Sequence, residues 1–298
     1  MNTPTTEVAK RPAILPTTRE HTNLEYLTMA RGAFYRQMVD ATGSEQAAKA
    51  LLAEFLNQGR RLPDLHACTT DSLGYAMMRA AALRLNPAIP NEYWLIPRNL
   101  KVKVDGRDTW IKSAEPQYGY GGLRKLVLRS PEVIDCFSKE VCANDLFESP
   151  ETPVSLPRHR LIPFTPRGPV LGYYNVIQKR NGNWLTLLMS SAEVEAHRDR
   201  YAQQDKDGKY GASWSKAKPD REGLTNFDKM ALKTVLRMNC NPRNVSLEAE
   251  VWEAIRSDDV DLRRAMPPLD PAPRSALAAG QSGLTLDALT GELFDDSH

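Results

Sequence analysis

The chain has 298 residues, 41% of them hydrophobic and 26% charged, which suffices for one large or two modest domains with a real core. No uncharged stretch is long and apolar enough to cross a bilayer, and the first twenty residues are rich in Pro and Thr where a signal peptide needs an apolar block. We therefore expect a cytoplasmic protein without a membrane span. The four cysteines form no C-x-x-C pair, which predicts reduced, mostly buried thiols rather than disulfides or a zinc site.

The formal net charge of +2 is distributed unevenly. Residues 257–298 contain three arginines and eight acidic residues, a net charge of −5, so the first 256 residues carry +7. A basic body favours a polyanionic partner, although solvated surface charge is an equally good explanation from composition alone. Composition also predicts three parts: a disordered N-terminal arm at 1–22, a folded part at 23–256, and an acidic flexible tail at 257–298.

Helical signals dominate the first 85 residues. Apolar residues recur at helical spacing from Leu24 to Met38 and stop near Gly43, which predicts one helix. Ser44 can cap a second helix that ends at Gly59, and Asp71 or Ser72 can start a third. These elements predict an N-terminal helical layer.

The hydrophobic period then changes to that of strands. Short strands at 93–96 and 101–104 precede Asp105-Gly106, a strong hairpin turn, and a return strand at 109–111. A strand is predicted at 132–141, and a second hairpin joins 170–178 to 184–189 across Asn181-Gly182. Further helices are predicted at 123–129, 191–200, from residue 226, and at 247–255, with a mobile loop at 202–223. The fold class is α+β: a helical N-terminal layer packed on a small antiparallel β-sheet core with hairpins and flanking helices.

Two basic elements are candidates for binding phosphates. The turn Gly119-Tyr120-Gly121-Gly122 opens a helix whose N–H groups can face an anion, although a purely structural glycine turn explains it too. Farther along, Lys229, Lys233 and Arg237 fall at i, i+4 and i+8 of one helix, a spacing that suits a phosphate backbone but also a solvated face.

Aromatic residues are close in sequence to many of the cations, a combination typical of single-strand binding. Trp110, Tyr118 and Trp214 are the candidate base-stacking residues, with core packing as the alternative for each ring. The candidate nucleic-acid-binding residues are Lys101, Lys103, Arg107, Lys112, Gly119, Tyr120, Arg124, Lys125, Arg129, Lys216, Lys218, Lys229, Lys233 and Arg237.

Catalytic patterns are weak. The chain has no G-x-x-x-x-G-K-[ST] loop, which excludes a P-loop ATPase, and His159 and His197 accompany no hydrolase signature. Four acidic residues could hold Mg²⁺ for a nuclease, the alternative that we keep from the enzyme class: Asp135, Glu140, Asp145 and Glu148. We otherwise expect no catalytic residue, no cofactor, and Mg²⁺ only as a counterion of DNA.

An ordered set of motifs resembles the RecT family of phage recombination proteins, the relatives of lambda Beta. The set spans about 73–239. It comprises Leu83, Leu85 and Pro87, Tyr93 and Pro97, Gln117 to Leu123 with Leu126, Arg129 and Ser130, then Val141, Asp145 and Phe147, Pro157 with His159, Leu188-Met189-Ser190, and Asp228, Met230, Ala231, Lys233 and Thr234.

The resemblance implies ATP-independent annealing of complementary single-stranded DNA on an oligomeric ring or helical filament. It also implies that single strands and the nascent duplex lie in a basic groove, and that a phage exonuclease and a host single-strand-binding protein are partners. A simple single-strand-binding module without annealing activity is the remaining alternative.

Overall fold

A computed structural model describes residues 21–29, 31–104, 107–202, 204, 207–220, 223–241 and 245–256, together with the backbone of 284–286 and 293–295. The N-terminal layer contains α1 (Asn23–Thr28), α2 (Gly32–Thr42), α3 (Glu45–Arg61) and α4 (Thr70–Ala82). Between α3 and α4 lies a 3₁₀ helix, Pro63–Ala67. The predicted helical layer is confirmed.

Capping residues explain where these helices begin and end. Ser44 caps α3 as predicted, and Gly43 ends α2 in the left-handed conformation that glycine adopts without strain. The single helix predicted from Leu24 to Gly43 is wrong, because the chain leaves the helical conformation after Thr28 and restarts at Gly32. Helix α3 also continues two residues beyond Gly59, the predicted end.

A long hairpin follows the helical layer. Strand β1 (Tyr93–Val104) pairs antiparallel with β2 (Arg107–Tyr118), and Val104 opposite Arg107 confirms a two-residue connection at 105–106, which itself lies outside the described residues. The sequence predicts two short strands separated at Pro97, whereas β1 runs through Pro97 without a break. A proline is tolerated there because this sheet has two strands in the described structure, so that each strand is an edge.

Polar side chains attach the hairpin to the helices. The Gln58 side-chain oxygen Oε1 accepts a hydrogen bond from the Leu95 N–H at 3.1 Å, and the Ser72 hydroxyl accepts one from the Ala114 N–H at 2.9 Å. The buried Tyr93 hydroxyl donates to the Ala76 carbonyl at 2.5 Å. These bonds satisfy backbone groups that burial removes from water, and so hold the inner half of the hairpin in place.

The second half of the fold is built on a three-stranded antiparallel sheet in the order β3 (Val133–Cys142), β6 (Val170–Lys179), β7 (Trp184–Ser190). Between β3 and β6 along the chain are two short strands that the sequence does not predict, β4 (Leu146–Glu148) and β5 (Arg158–Arg160). They pair with each other in a separate two-stranded sheet. Helices α5 (Tyr120–Val127), α6 (Ser191–Tyr201), α7 (Asn226–Asn239) and α8 (Ala249–Arg256) complete it, and a 3₁₀ turn, Ala212–Trp214, precedes α7. The structure is thus α+β with small antiparallel sheets.

Helix α7 packs on the sheet through both apolar and polar contacts. Phe227, Ala231 and Val235 are buried against Tyr173 of β6. At the end of α7, the Asn239 amide donates to the Asn175 side-chain oxygen at 2.8 Å inside the core. Satisfied buried amides fix one arrangement of helix on sheet, because any shift would leave them unpaired.

All four cysteines are buried and free, as predicted. The predicted arm lies outside the described residues except for 21 and 22, of which Thr22 caps α1. The predicted tail also lies outside them, except for two three-residue strands that pair antiparallel, β8 (Leu284–Leu286) and β9 (Leu293–Asp295).

Candidate nucleic-acid interface

A cleft of about 1020 Å³ lies where the hairpin, α5, β3 and α7 meet. Four of its lining side chains are cationic and two are carboxylates, so it carries an excess of positive charge. The cations are Lys139, Arg167, Lys229 and Lys233, and the carboxylates are Glu140 and Asp220. Its other polar or flat groups include Trp94, Gln117, Tyr120, Ser138, His159 and Asn226.

Helix α7 supplies two of the cations and is rigidly capped. Thr225 and Asp228 form a reciprocal capping box, and the Tyr173 hydroxyl donates to Asp228 at 2.5 Å. Burial, followed by this carboxylate, raises the pKa of Tyr173 far above its ordinary value, so Tyr173 stays a donor. The first turn of α7 is therefore fixed, and with it the position of Lys229.

The predicted row of three cations on α7 is not one exposed row. Lys229 lines the cleft and pairs with Asp220 at 2.8 Å, whereas Lys233 lines it from a buried position, with 4% of its surface exposed. Arg237 donates to the Ile255 carbonyl at 2.8 Å and is absent from the cleft lining that the structure describes. Arg237 neutralises the carbonyl end of α8 instead, which corrects its predicted place beside the two lysines.

The glycine turn has a packing role. A Cβ at Gly119 would lie 2.1 Å from the Asn91 carbonyl oxygen, and one at Gly122 would lie 2.2 Å from that of Glu92. The Gly122 N–H already donates to Asn91 at 3.0 Å. The glycines thus admit a neighbouring segment of backbone, which supports the structural alternative for this turn, while Gly119 and Tyr120 also line the cleft.

The three predicted cations of α5 contact protein groups. Arg124 binds Asp135 at 2.8 Å, Lys125 binds the buried Glu92 at 3.0 Å, and Arg129 donates to the Arg84 carbonyl at 3.4 Å. None of the three is in the described lining of the cleft. Arg124 and Lys125 are partly exposed and Arg129 is exposed, but their contacts are with the 84–92 segment and β3 rather than with the cleft.

The hairpin carries its cations away from the cleft. Lys101 pairs with Asp108 at 2.6 Å and Lys112 with Asp64 at 2.5 Å, whereas Lys103 and Arg107 are exposed. In the loop before α7, Lys216 pairs with Glu195 and lies over the Phe227 ring at 4.6 Å, and Lys218 is exposed. No residue in these two groups lines the cleft as described.

The three predicted stacking rings differ in exposure. Trp110 is 67% exposed on the outer hairpin, but Tyr118 is 1% exposed and packs edge-on against Tyr93 at 5.4 Å. Trp214 packs against Phe227 at 5.7 Å. Tyr118 thus lines the floor of the cleft from a buried position, where its ring packs in the core and has little face left for stacking. Contact with Phe227 covers part of the Trp214 ring. Trp94 lines the cleft and was missed, because its position in an apolar run indicated only a buried strand.

The acidic residues of the nuclease alternative are each held by an arginine. Asp135 binds Arg124, Glu148 binds Arg158, and Arg167 binds both Glu140 and Asp145. Among the described residues, no group of three or more His, Cys, Asp or Glu side chains could hold a metal ion. These carboxylates act as partners of cations in this structure.

A polar network beside the cleft was also missed by the sequence patterns. Asp145 accepts hydrogen bonds from Arg167 at 2.7 and 3.1 Å and from the Cys142 N–H at 2.8 Å, and it lies 3.1 Å from His159 Nε2. The Arg167 guanidinium in particular holds the pKa of Asp145 well below its usual range. His159 also contacts the Tyr174 hydroxyl at 3.1 Å. The network fixes the segment 158–167 against β3.

Comparison with protein families identifies the family of the chain. A model of the RecT family matches residues 45–268, most of the chain, and the chain therefore belongs to that family. RecT-type proteins are single-strand annealing proteins of DNA recombination that bind DNA and form oligomers, rather than catalytic enzymes. No curated protein matches the chain. Of the helices that the structure describes, none is long and apolar enough to span a membrane.

Proposed function

We propose that this chain anneals complementary single strands of DNA without ATP, and that it binds them in the cleft described above. The observation that carries the proposal is the convergence of Lys139, Arg167, Lys229 and Lys233 on one cleft. Such cations neutralise phosphates and release their counterions, a source of affinity that does not depend on base sequence. Annealing makes and breaks no covalent bond, so no residue is given a catalytic role.

The cations come from two separate parts of the fold. Lys229 and Lys233 lie one turn apart on α7, whereas Lys139 lies on β3 and Arg167 precedes β6. One set can follow one phosphate backbone and the second set another, with the bases of the two strands between them. We therefore propose that the cleft holds a nascent duplex as well as a single strand.

Oligomerisation would raise the affinity for a strand. A single cleft binds a few nucleotides with modest affinity, but a strand that crosses several copies gains avidity from each. We propose a ring or a helical filament in which the clefts of successive copies form one groove.

An annealing assay tests the activity. Two complementary labelled oligonucleotides are mixed with the full-length chain, without ATP, and with or without EDTA. We expect faster duplex formation than in the protein-free mixture, with intact strands in both conditions. Cleavage that EDTA abolishes would assign the chain to the nucleases, and binding without faster pairing would leave a simple single-strand-binding module.

A salt-challenge gel shift tests the nascent-duplex complex. Complementary strands added one after the other are compared with non-complementary strands and with a preannealed duplex. A preformed duplex has backbones wound at fixed groove widths and must be deformed to enter the cleft, whereas strands added in sequence are flexible. We expect the sequential complex to survive the highest salt. Equal salt midpoints for all three would reject a two-strand cleft.

A further inference from the structure

One aromatic ring next to the cleft has no protein surface to cover it. Phe164 is 108% exposed, and it has no ring, cation or hydrogen-bonded partner among the residues that the structure describes. Leu161 and Ile162 in the same loop are also exposed, at 57% and 39%, so the three side chains form an exposed apolar cluster, a feature that marks interaction sites. Its backbone φ of 61° is also in the left-handed region, which bulky residues seldom adopt. A costly conformation that points an aromatic ring into solvent suggests a function.

The loop that carries Phe164 is rigid. Two prolines fix the backbone on either side, Pro163 directly before the ring and Pro166 two residues after it. The Asn144 amide donates to the Pro166 carbonyl at 2.8 Å, and the Asn144 N–H donates to the Arg167 carbonyl at 2.9 Å. Arg167 then anchors the end of the loop on the carboxylates of β3 and the turn after it. These contacts hold the backbone that follows Phe164 in place, so a ligand that stacks on the ring would have to order mainly the side chain itself.

The same loop forms part of the cleft. Leu161 and Arg167, three residues before and three after Phe164, both line it. Three residues of extended chain span at most about 10 Å, so the Cα of Phe164 lies within about 10 Å of two residues that line the cleft, one of them the cation Arg167. A flat ring beside a phosphate-binding cleft is suited to stacking on a nucleobase.

We propose that Phe164 is a base-stacking residue of the DNA-binding cleft, an inference that rests on the proposed function. It takes the stacking role predicted for Tyr118, which lines the cleft but is only 1% exposed, and it acts on the bases of the strand whose backbone follows the cations. Stacking is tolerant of sequence because every base has a flat face, which an annealing protein requires. The exposed Leu161 and Ile162 next to it admit another occupant, a second copy of the chain, and the test distinguishes the two.

The test compares Phe164→Ala with the unmodified full-length chain on two short oligonucleotides of equal length, one ordinary and one with abasic sites throughout. We expect Phe164→Ala to bind the ordinary strand about tenfold more weakly and the abasic strand unchanged, with the same dependence on salt for both proteins. Phe164→Trp should bind the ordinary strand at least as tightly as the unmodified chain. Leu146→Ala removes a 55% exposed apolar side chain outside the described cleft lining and should change neither affinity.

Three results would overturn the inference. Unchanged binding of Phe164→Ala to the ordinary strand would mean that the ring does not touch bases. An equal loss on both strands, with a lower mass of the DNA-free protein by light scattering, would assign Phe164 to a contact between copies; an equal loss at unchanged mass would reject stacking. Failure of the unmodified chain to bind either strand would instead refute the proposed function.

Discussion

Removing two cations from the cleft gives the sharpest test of where the phosphates bind. Lys139 and Lys229 are the best targets because neither holds the fold together: Lys139 is exposed with its ammonium 5.7 Å from the Phe137 ring, and Lys229 has a partly exposed ion pair with Asp220. Surface pairs of this kind contribute about 0–1 kcal/mol to stability. Lys233 and Arg167 are less suitable, because one is buried and the other anchors a loop.

The size of the effect follows from counterion release. Each phosphate contact on single-stranded DNA contributes about 0.7 to the slope of log K against log salt, so Lys139→Gln/Lys229→Gln should lower the slope by about 1.4. Between 1 M and roughly 0.15 M salt the logarithm of the salt concentration changes by about 0.8. A slope lower by about 1.4 therefore means about tenfold weaker binding at roughly 0.15 M salt.

The assay is a fluorescence titration of a labelled single strand at several salt concentrations. Lys49→Gln/Arg60→Gln is the matched control, because it removes the same charge from α3, away from the cleft. The control should keep the slope of the unmodified chain. An unchanged slope in a Lys139→Gln/Lys229→Gln protein with native circular dichroism would refute the assignment of the cleft to phosphates.

Four further variants, one of them a control, test the electrostatics and packing around the cleft. Asp220→Asn releases Lys229 from its ion pair and should raise affinity for single strands up to about fivefold at low salt, with weaker binding as the contrary result. Gly119→Ala places a methyl group against a backbone carbonyl and should lower the free energy of unfolding, measured in urea, by about 3 kcal/mol. A Cβ at Gly121 would lie 3.1 Å from the Asn91 carbonyl oxygen, so Gly121→Ala should lower the free energy of unfolding by less. Equal losses for the two variants would contradict the packing explanation. Asp145→Asn should cost about 2–3 kcal/mol near pH 7. Because the pKa of Asp145 is lowered in the folded state, the stability that its carboxylate contributes is present above the unfolded pKa of about 4 and is lost as the pH falls below that value. The stabilities of the variant and the unmodified chain should therefore converge in acid. A difference that stays constant with pH would contradict this role of Asp145.

Much of the fold was predictable because its signals are local. Ser44 caps α3, α7 begins at Asn226, and the Asn181-Gly182 turn joins β6 to β7, all as the sequence indicates. The errors arise where distant contacts decide. Hydrophobic periodicity does not reveal the break between α1 and α2, and Pro97 predicts the end of a strand that in fact pairs along its whole length.

The candidate site was less predictable for a related reason. Helical spacing gives the angle of a side chain around the helix axis but not the depth of the surface that covers it, which is why Lys233 is buried and Arg237 faces α8. The exposed Phe164 carried no signal in its local sequence other than the neighbouring prolines. Which rings are covered is settled by packing between segments far apart in the chain.

The two prolines of the hairpin have a consequence for any assembly of this chain. In the described structure, no further strand pairs with the outer edges of β1 and β2, which are bonded to the helical layer mainly in their inner half, and an open edge is a template for pairing with the same edge of another copy. Pro97 and Pro116 remove one hydrogen-bond donor from each edge, close to the helical layer. Copies brought side by side at high local concentration are thereby hindered from merging these ribbons into one continuous sheet, the route by which ordered assemblies turn into irreversible aggregates.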